Sequence, residues 1–371
     1  MKYIDEYRDG VAARRIAAVI AEEAKKRHTY RLMEFCGGHT HAISRYGIED
    51  LLPGNIRMIH GPGCPVCVLP MGQVDVAIDL ALRPDVILCI YSDLLRVPGS
   101  NGRSLLKARA EGADVRMVYS AADSLTIARE NPGREIVFFA IGFETTTPPT
   151  AVALKTASAK GIENYSIYCN HVLTPAAMNA ILASEEERPL LDGFIGPAHV
   201  STVIGSKPYE PFAETWKRPV VIAGFEPLDV LQAILMLVRQ LNDGRAEVEN
   251  EFSRAVTRYG NLKAQEFVAE TMEPRPFFEW RGLGIVPDSA LKIRDSFSNW
   301  DAERRFGLLP KSVAEDTGCE CGAILRGVKR PSQCRLFGRA CTPENPVGSC
   351  MVSSEGACAA HWTYGRFRKA G

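Results

Sequence analysis

The sequence has no excess of either charge: its 371 residues include 44 Lys plus Arg and 44 Asp plus Glu, a formal net charge of zero. Nucleic acids and anionic membrane surfaces both select for a basic excess, so neither is expected as a partner. No apolar run approaches the length of a membrane span; Leu231 to Val238 already contains Gln232 and ends at Arg239. The first residues carry Asp5 and Glu6 where a secretory leader would be basic and then apolar. A cytoplasmic protein is therefore expected, with its 11 cysteines mostly reduced or bound to metal. There is no Gly-x-Gly-x-x-Gly and no Gly-Lys-Ser/Thr loop, so a nucleotide ligand is not supported.

At 46% hydrophobic and 24% charged, the composition is that of an ordinary folded chain, long enough for two or three domains. From Gly10 to Arg27, Val11, Ile16, Val19 and Ile20 recur at helical spacing and predict an amphipathic opening helix. The run Asp85 to Tyr91 is apolar on both faces, and further strands are expected at Glu135 to Ile141 and Tyr165 to Asn170, alternating with helical patterns. That alternation predicts right-handed crossovers and buried parallel strands. Cys89, inside one such run, reads as a small core residue.

Phe194-Ile195 and Val220 to Ala223 continue the strand series, with helices predicted over Thr174 to Ser184 and Val230 to Leu241. The expected fold class is α/β: two similar parallel-sheet domains, over 1–130 and 131–245, then a cysteine-rich, mostly irregular or helical domain over 246–371. The opening helix packs on the first or the last of these. Gly-Phe-Glu follows a strand twice, at Gly142 and at Gly224, which hints at related halves. Pro274, Pro276 and Pro287 with Phe277, Phe278 and Trp280 read as an irregular aromatic crossing segment.

Candidate chemistry gathers in three places. Cys36-Gly-Gly-His39 and Gly61-Pro-Gly-Cys64-Pro-Val-Cys67 set soft ligands among Gly and Pro, which predicts exposed turns. Cys36 and His39 could meet one transition metal. The Cys64-x-x-Cys67 pair could form a disulfide, share a metal, or lower one thiol's pKa. Glu144, His171 and His199 follow apolar strands, at the edge where open α/β sheets bind ligands, although both histidines could equally bond only neighbouring loops.

Six cysteines fall in the last segment: Cys319, Cys321, Cys334, Cys341, Cys350 and Cys358. A stretch so poor in core needs a metal or disulfides to hold it. Zinc and an iron-sulfur cluster both accept four thiolates, and the wide, uneven spacing favours the cluster. The two surplus cysteines suggest a redox-active pair beside it.

These motifs, together with Gly142-Phe-Glu-Thr-Thr-Thr147, Gly193-Phe-Ile-Gly-Pro-Ala-His-Val200 and the spacing Cys319-x14-Cys334-x6-Cys341-x16-Cys358, resemble the hydrogenase maturation factor HypD family over essentially the whole chain. The resemblance implies a scaffold for the Fe(CN)2CO group of nickel-iron hydrogenases, working with a HypC-type chaperone while HypE transiently delivers cyanide. It implies that Cys319, Cys334, Cys341 and Cys358 hold one 4Fe-4S cluster and that Cys36, with His39 nearby, holds the nascent iron. Cys64 with Cys67, and Cys321 with Cys350, would be redox thiol pairs. Two other readings use the same residues: a thiol-disulfide oxidoreductase with structural zinc, and an interaction module without chemistry.

Overall fold

The computed structural model describes residues 5–183, 190–309, 312–313 and 318–365. Nine strands form two wholly parallel sheets. The first contains β1 (Tyr30–Glu34), β2 (Ile56–His60), β7 (Gly193–Pro197), β8 (Val220–Ala223) and β9 (Val248–Asn250), in the order β2-β1-β7-β8-β9. The second contains β3 (Val86–Ile90), β4 (Val115–Met117), β5 (Glu135–Gly142) and β6 (Tyr165–His171), in the order β4-β3-β5-β6. Every residue of β3, β6, β7 and β8 is buried, as runs apolar on both faces require.

The two sheets wind alike. In each, the second strand lies to one side of the first and the third to the other, which creates a switch point between β1 and β7 and another between β3 and β5. The repeated Gly-Phe-Glu does not mark this kinship, because it follows the third strand of the second sheet and the fourth of the first.

The domain edges expected from the sequence do not follow the sheets. The chain leaves the first sheet after β2, builds the second, and returns to the first at β7. An edge at residue 130 falls between strands of one sheet, where β5 pairs with β3 through Val86 and Glu135. An edge at 245 separates β8 from β9, which pair through Val220 and Val248. The opening helix, Gly10–Glu23, packs against Pro227–Asn242 on the first sheet, where Arg239 donates to Glu23 at 2.7 Å. Among the described residues its main packing partner is therefore this helix of the first sheet and not the last segment. The helix expected to run to Ser184 is observed over Thr174–Ala183; Ser184 lies outside the described residues.

The aromatic segment is regular. β10 (Met272–Trp280) and β11 (Gly284–Ile293) form an antiparallel hairpin turned through Gly282 and Gly284 at positive φ, with an irregularity between Arg275 and Phe277. Prolines are tolerated because neither strand of a two-stranded ribbon is a central strand needing ladder bonds on both sides. The hairpin docks on the second sheet, where Leu173 N–H donates to Ser289 O at 2.8 Å, and Arg281 N–H donates to Val68 O at 2.8 Å. Trp280 is 1% exposed, with Nε1–H on Ser289 Oγ at 2.8 Å. Ile324, Leu325, Met351 and Val352 of the last segment join the same core as Trp280, Phe143 and Val66, so that segment has no separate core.

Trp280→Ala is expected to destabilise the chain by about 3–5 kcal/mol, since it empties a large buried volume and removes the indole donor to Ser289 Oγ, which keeps its own bond to Val286 O. Urea denaturation followed by circular dichroism checks this.

Candidate functional site

Because β1 and β2 are parallel neighbours, the chain leaves both at the same edge, and the two cysteine motifs start side by side. Gly37 N–H donates to Gly63 O at 3.0 Å and Gly61 N–H to Glu34 O at 2.9 Å. A Cβ on Gly63 would stand 2.4 Å from the Cys36 backbone nitrogen, so this approach requires glycine. The edge is also the first sheet's switch point, between β1 and β7.

These turns are not exposed, contrary to the reading of their glycines and prolines. Cys36 is 9% exposed, Cys64 3% and Cys67 0%. The last segment covers them: a Cβ on Gly37 would meet Glu355 Cβ at 2.4 Å, and Ser349 Oγ–H donates to Cys67 O at 2.9 Å. Burial, and then the charge of Glu355, push the Cys36 thiol well above its ordinary value, while N–H groups of Gly38 and His39 pull the other way. A cation arriving at this sulfur would have to displace its proton.

His39 is wholly buried, and its Nε2–H is shared between Ala223 O and Gly224 O, each at 3.0 Å. Carbonyls only accept, so Nε2 carries the proton and Nδ1 is a bare lone pair; among the described residues that atom has no hydrogen-bond partner. Burial lowers the His39 pKa, which keeps the ring neutral. Phe225 lies against it, 4.7 Å between ring centroids, and on the same phenyl ring rests the exposed His199 at 4.2 Å.

Sequence reasoning missed Glu34, the residue that organises this corner. Its buried carboxylate accepts from Cys36 N–H at 2.9 Å, from Thr40 Oγ1–H, and from His60 Nδ1 at 2.8 Å. Burial pulls the His60 imidazole down, but the bond to Glu34 and its charge more than offset this, so His60 sits above its ordinary value. A carboxylate two residues before the first cysteine was the available signal.

Glu144 and His171 belong instead to the second sheet. Glu144 accepts from Thr174 N–H and Oγ1–H, both at 2.9 Å, and His171 bonds Thr150 Oγ1 at 2.9 Å. Their bonds are those of residues fixing loops.

Five thiols form a hydrogen-bonded row across the fold. Cys67 is hydrogen-bonded to Cys64 and to Cys350, Cys350 to Cys321, and Cys321 to Cys358. Because both Cys321 and Cys67 donate to it, the Cys350 sulfur is brought down to about 6, whereas burial and its own donation raise Cys67. At the far end a small cavity is lined by Cys319, Cys321, Cys334, Cys341 and Cys358 with Phe337 and Met351. Gly348 borders it so closely that a Cβ would lie 2.4 Å from Cys319 Sγ and 2.5 Å from Cys321 Sγ, and Val347 N–H donates to Cys341 Sγ at 3.4 Å. Among the described residues no three His, Cys, Asp or Glu converge as for one metal ion.

Gly63→Ala is expected to cost about 1–3 kcal/mol in urea denaturation, because the clash is with backbone that cannot swing away. A second outcome concerns pH. Burial raises Glu144 from its ordinary 4.5 to about 7, so between those values the unfolded chain ionises first and stability falls as pH rises. Burial lowers His171 from 6.5 to about 4, so its contribution is lost as pH falls through the same range. In Glu144→Gln the Glu144 slope is absent: from about pH 5 to 7 the variant gains on the parent by on the order of 1–3 kcal/mol in denaturation free energy.

The chain was compared with known proteins. The HypD family model, described as "Hydrogenase formation hypA family", matches residues 11–365. The chain is 65% identical to the hydrogenase maturation factor HypD of Rhizobium leguminosarum bv. viciae, over 100% of this chain and 97% of that protein. It is 50% identical to the HypD of Rhodobacter capsulatus over 100% of both, and 44% identical to that of Escherichia coli over 98% of both. No helix among the described residues is long and apolar enough to cross a membrane. The match along almost the whole chain places it in the HypD family of hydrogenase maturation factors, with a role in hydrogenase assembly.

Proposed function

We propose that this chain is a cytoplasmic scaffold that holds an iron ion, as substrate, while two cyanides and one carbon monoxide are attached to it. It would act with a HypC-type chaperone and receive cyanide from HypE. The observation that carries this reading is the buried, unpartnered Nδ1 of His39 on the turn that begins at Cys36. A neutral imidazole whose other nitrogen is fixed by two carbonyls is the form that ligates a transition metal. The Cys36 thiolate is the soft partner that suits low-spin ferrous iron.

The donor set at the other end fits a 4Fe-4S cluster on Cys319, Cys334, Cys341 and Cys358. These four thiols line one cavity together with Cys321, an N–H points at one sulfur, and Gly348 leaves room where a side chain would not. When bound, such a cluster supplies electrons one at a time. Cys321, Cys350, Cys67 and Cys64 then form a row of touching sulfurs toward Cys36. As a dithiol, Cys64 with Cys67 would pass two electrons and two protons to an acceptor in the ligand-attachment chemistry on closing to a disulfide; exchange with the Cys321–Cys350 dithiol would re-open it and leave that second pair as the disulfide, which takes up two electrons and two protons to re-open. The burial of this row excludes small thiols and water from the exchange.

Purified without oxygen, the chain is expected to contain about four irons with acid-labile sulfide. Co-expression with a HypC partner should add infrared bands of cyanide and carbon monoxide. Cys36→Ala should lose those bands and keep the cluster's visible absorption; loss of the cluster would refute two separate sites. Zinc alone, without iron or infrared bands, would favour a thiol-disulfide oxidoreductase with a structural zinc.

A further inference from the structure

Beside the cysteine edge, a groove runs along the free side of β2. This strand ends the order of the first sheet, with β1 as its neighbour. The ladder to β1 uses alternate peptide groups, as Tyr30 N–H on Asn55 O at 2.8 Å and Gly61 N–H on Glu34 O at 2.9 Å show. The intervening peptide groups of Met58 and His60 therefore face the groove. Its opposite wall is the turn from Gly327 to Pro331, and Arg57, Met58, Ile59 and His60 line the near side in succession. Gly327 closes the floor, since a Cβ there would lie 2.5 Å from Ile59 Cγ2.

The walls are cationic, with Arg31, Arg57, Lys329 and Arg330 beside His60. Arg31 is balanced by Asp192 at 3.7 Å and Lys329 by Glu320. Arg57 and Arg330 are exposed, and neither has an ion pair among the described residues. Besides Glu34, the charge of Glu49 also reaches His60. Two positive charges thus stand uncompensated over an unpaired strand edge. Natural sheets cover or blunt such edges, or use them to take up another chain's strand.

We propose that this groove receives an extended acidic segment of a partner protein, added to β2 as an edge strand, with its carboxylates on Arg57 and Arg330. A free anion would use the two arginines but not the outward peptide groups, and this distinction decides the occupant. The inference does not depend on iron or cluster binding. Its geometric consequence is that the partner's backbone would lie next to His60, whose side chain holds the Glu34 carboxylate bonded to Cys36 N–H.

The test is fluorescence anisotropy on the full chain with a labelled, end-blocked hexapeptide alternating Glu and Val. Saturable binding is expected. Arg57→Glu with Arg330→Glu should weaken it about tenfold or more, as should N-methylation of alternate peptide nitrogens, and the Lys-for-Glu peptide should not bind. Both arginines are exposed, so circular dichroism and the melting temperature should not change; Arg57→Ala with Arg330→Ala gives a milder second variant that should weaken binding in the same direction. Absence of saturable binding, or binding indifferent to charge reversal, would overturn the proposal. Equal affinity for the N-methylated peptide, or full displacement by inorganic phosphate, would show a simple anion site and overturn strand addition.

Discussion

The last rung of the β1–β2 ladder fixes the functional corner. Glu34 and His60 are register partners, and their side chains also bond each other at 2.8 Å. Beyond that rung both strands end, one into Phe35-Cys36 and the other into Gly61-Pro62-Gly63-Cys64. A slip of one residue would turn Glu34 and His60 to opposite faces and separate the two turns. The close contact of Gly63 with the Cys36 backbone follows from that register. A buried carboxylate is costly unless its oxygens are occupied. Here a backbone N–H, a hydroxyl and an imidazole occupy them, so the group that would weaken an isolated strand end ties three elements together.

The order in which the chain visits the two sheets explains where the sulfurs meet. The second sheet is inserted between β2 and β7, so the Cys64–Cys67 turn is the link by which the chain leaves the first sheet. That turn is held from two further directions, by Arg281 N–H of the hairpin on Val68 O and by Ser349 Oγ–H on Cys67 O. A thiol pair at such a junction is buried by packing on every side, which keeps the pair close. Along the row of sulfurs a negative charge is best tolerated at Cys350, which accepts from both neighbours, whereas Cys36 and Cys67 are held as thiols. Ionisation is thus set by hydrogen-bond direction within a shared dry environment.

Much of the fold was legible, and for a physical reason: strands buried on both faces must be apolar throughout. β3, β5, β6 and β8 announce themselves in this way. β1 and β2 do not, because Arg31 and Glu34 in one and Arg57 and His60 in the other break the apolar run, and each break serves a bond or the basic groove. The hairpin was hidden by its prolines, which exclude central strands but not a two-stranded ribbon. The sequence motifs marked Cys36, His39, Cys64 and Cys67, but glycine and proline beside them suggested exposure. Those residues instead permit two backbones to touch, and the covering layer comes from Ser349 and Glu355, far along the chain. Contact between Cys67 and Cys350 has no local signature, being produced by tertiary packing alone.

The two switch points, formed by the same winding, show why one is a candidate for chemistry and the other is not. In the second sheet the corresponding groups are satisfied internally: Glu144 is closed by Thr174, His171 by Thr150, and the hairpin packs over the adjoining β6. In the first, His39 keeps one nitrogen unpartnered among the described residues while its other is doubly bonded, and an exposed histidine stands across Phe225 from it. That free lone pair, in a wholly buried ring on the turn that begins at Cys36, is the feature the proposed iron site would use.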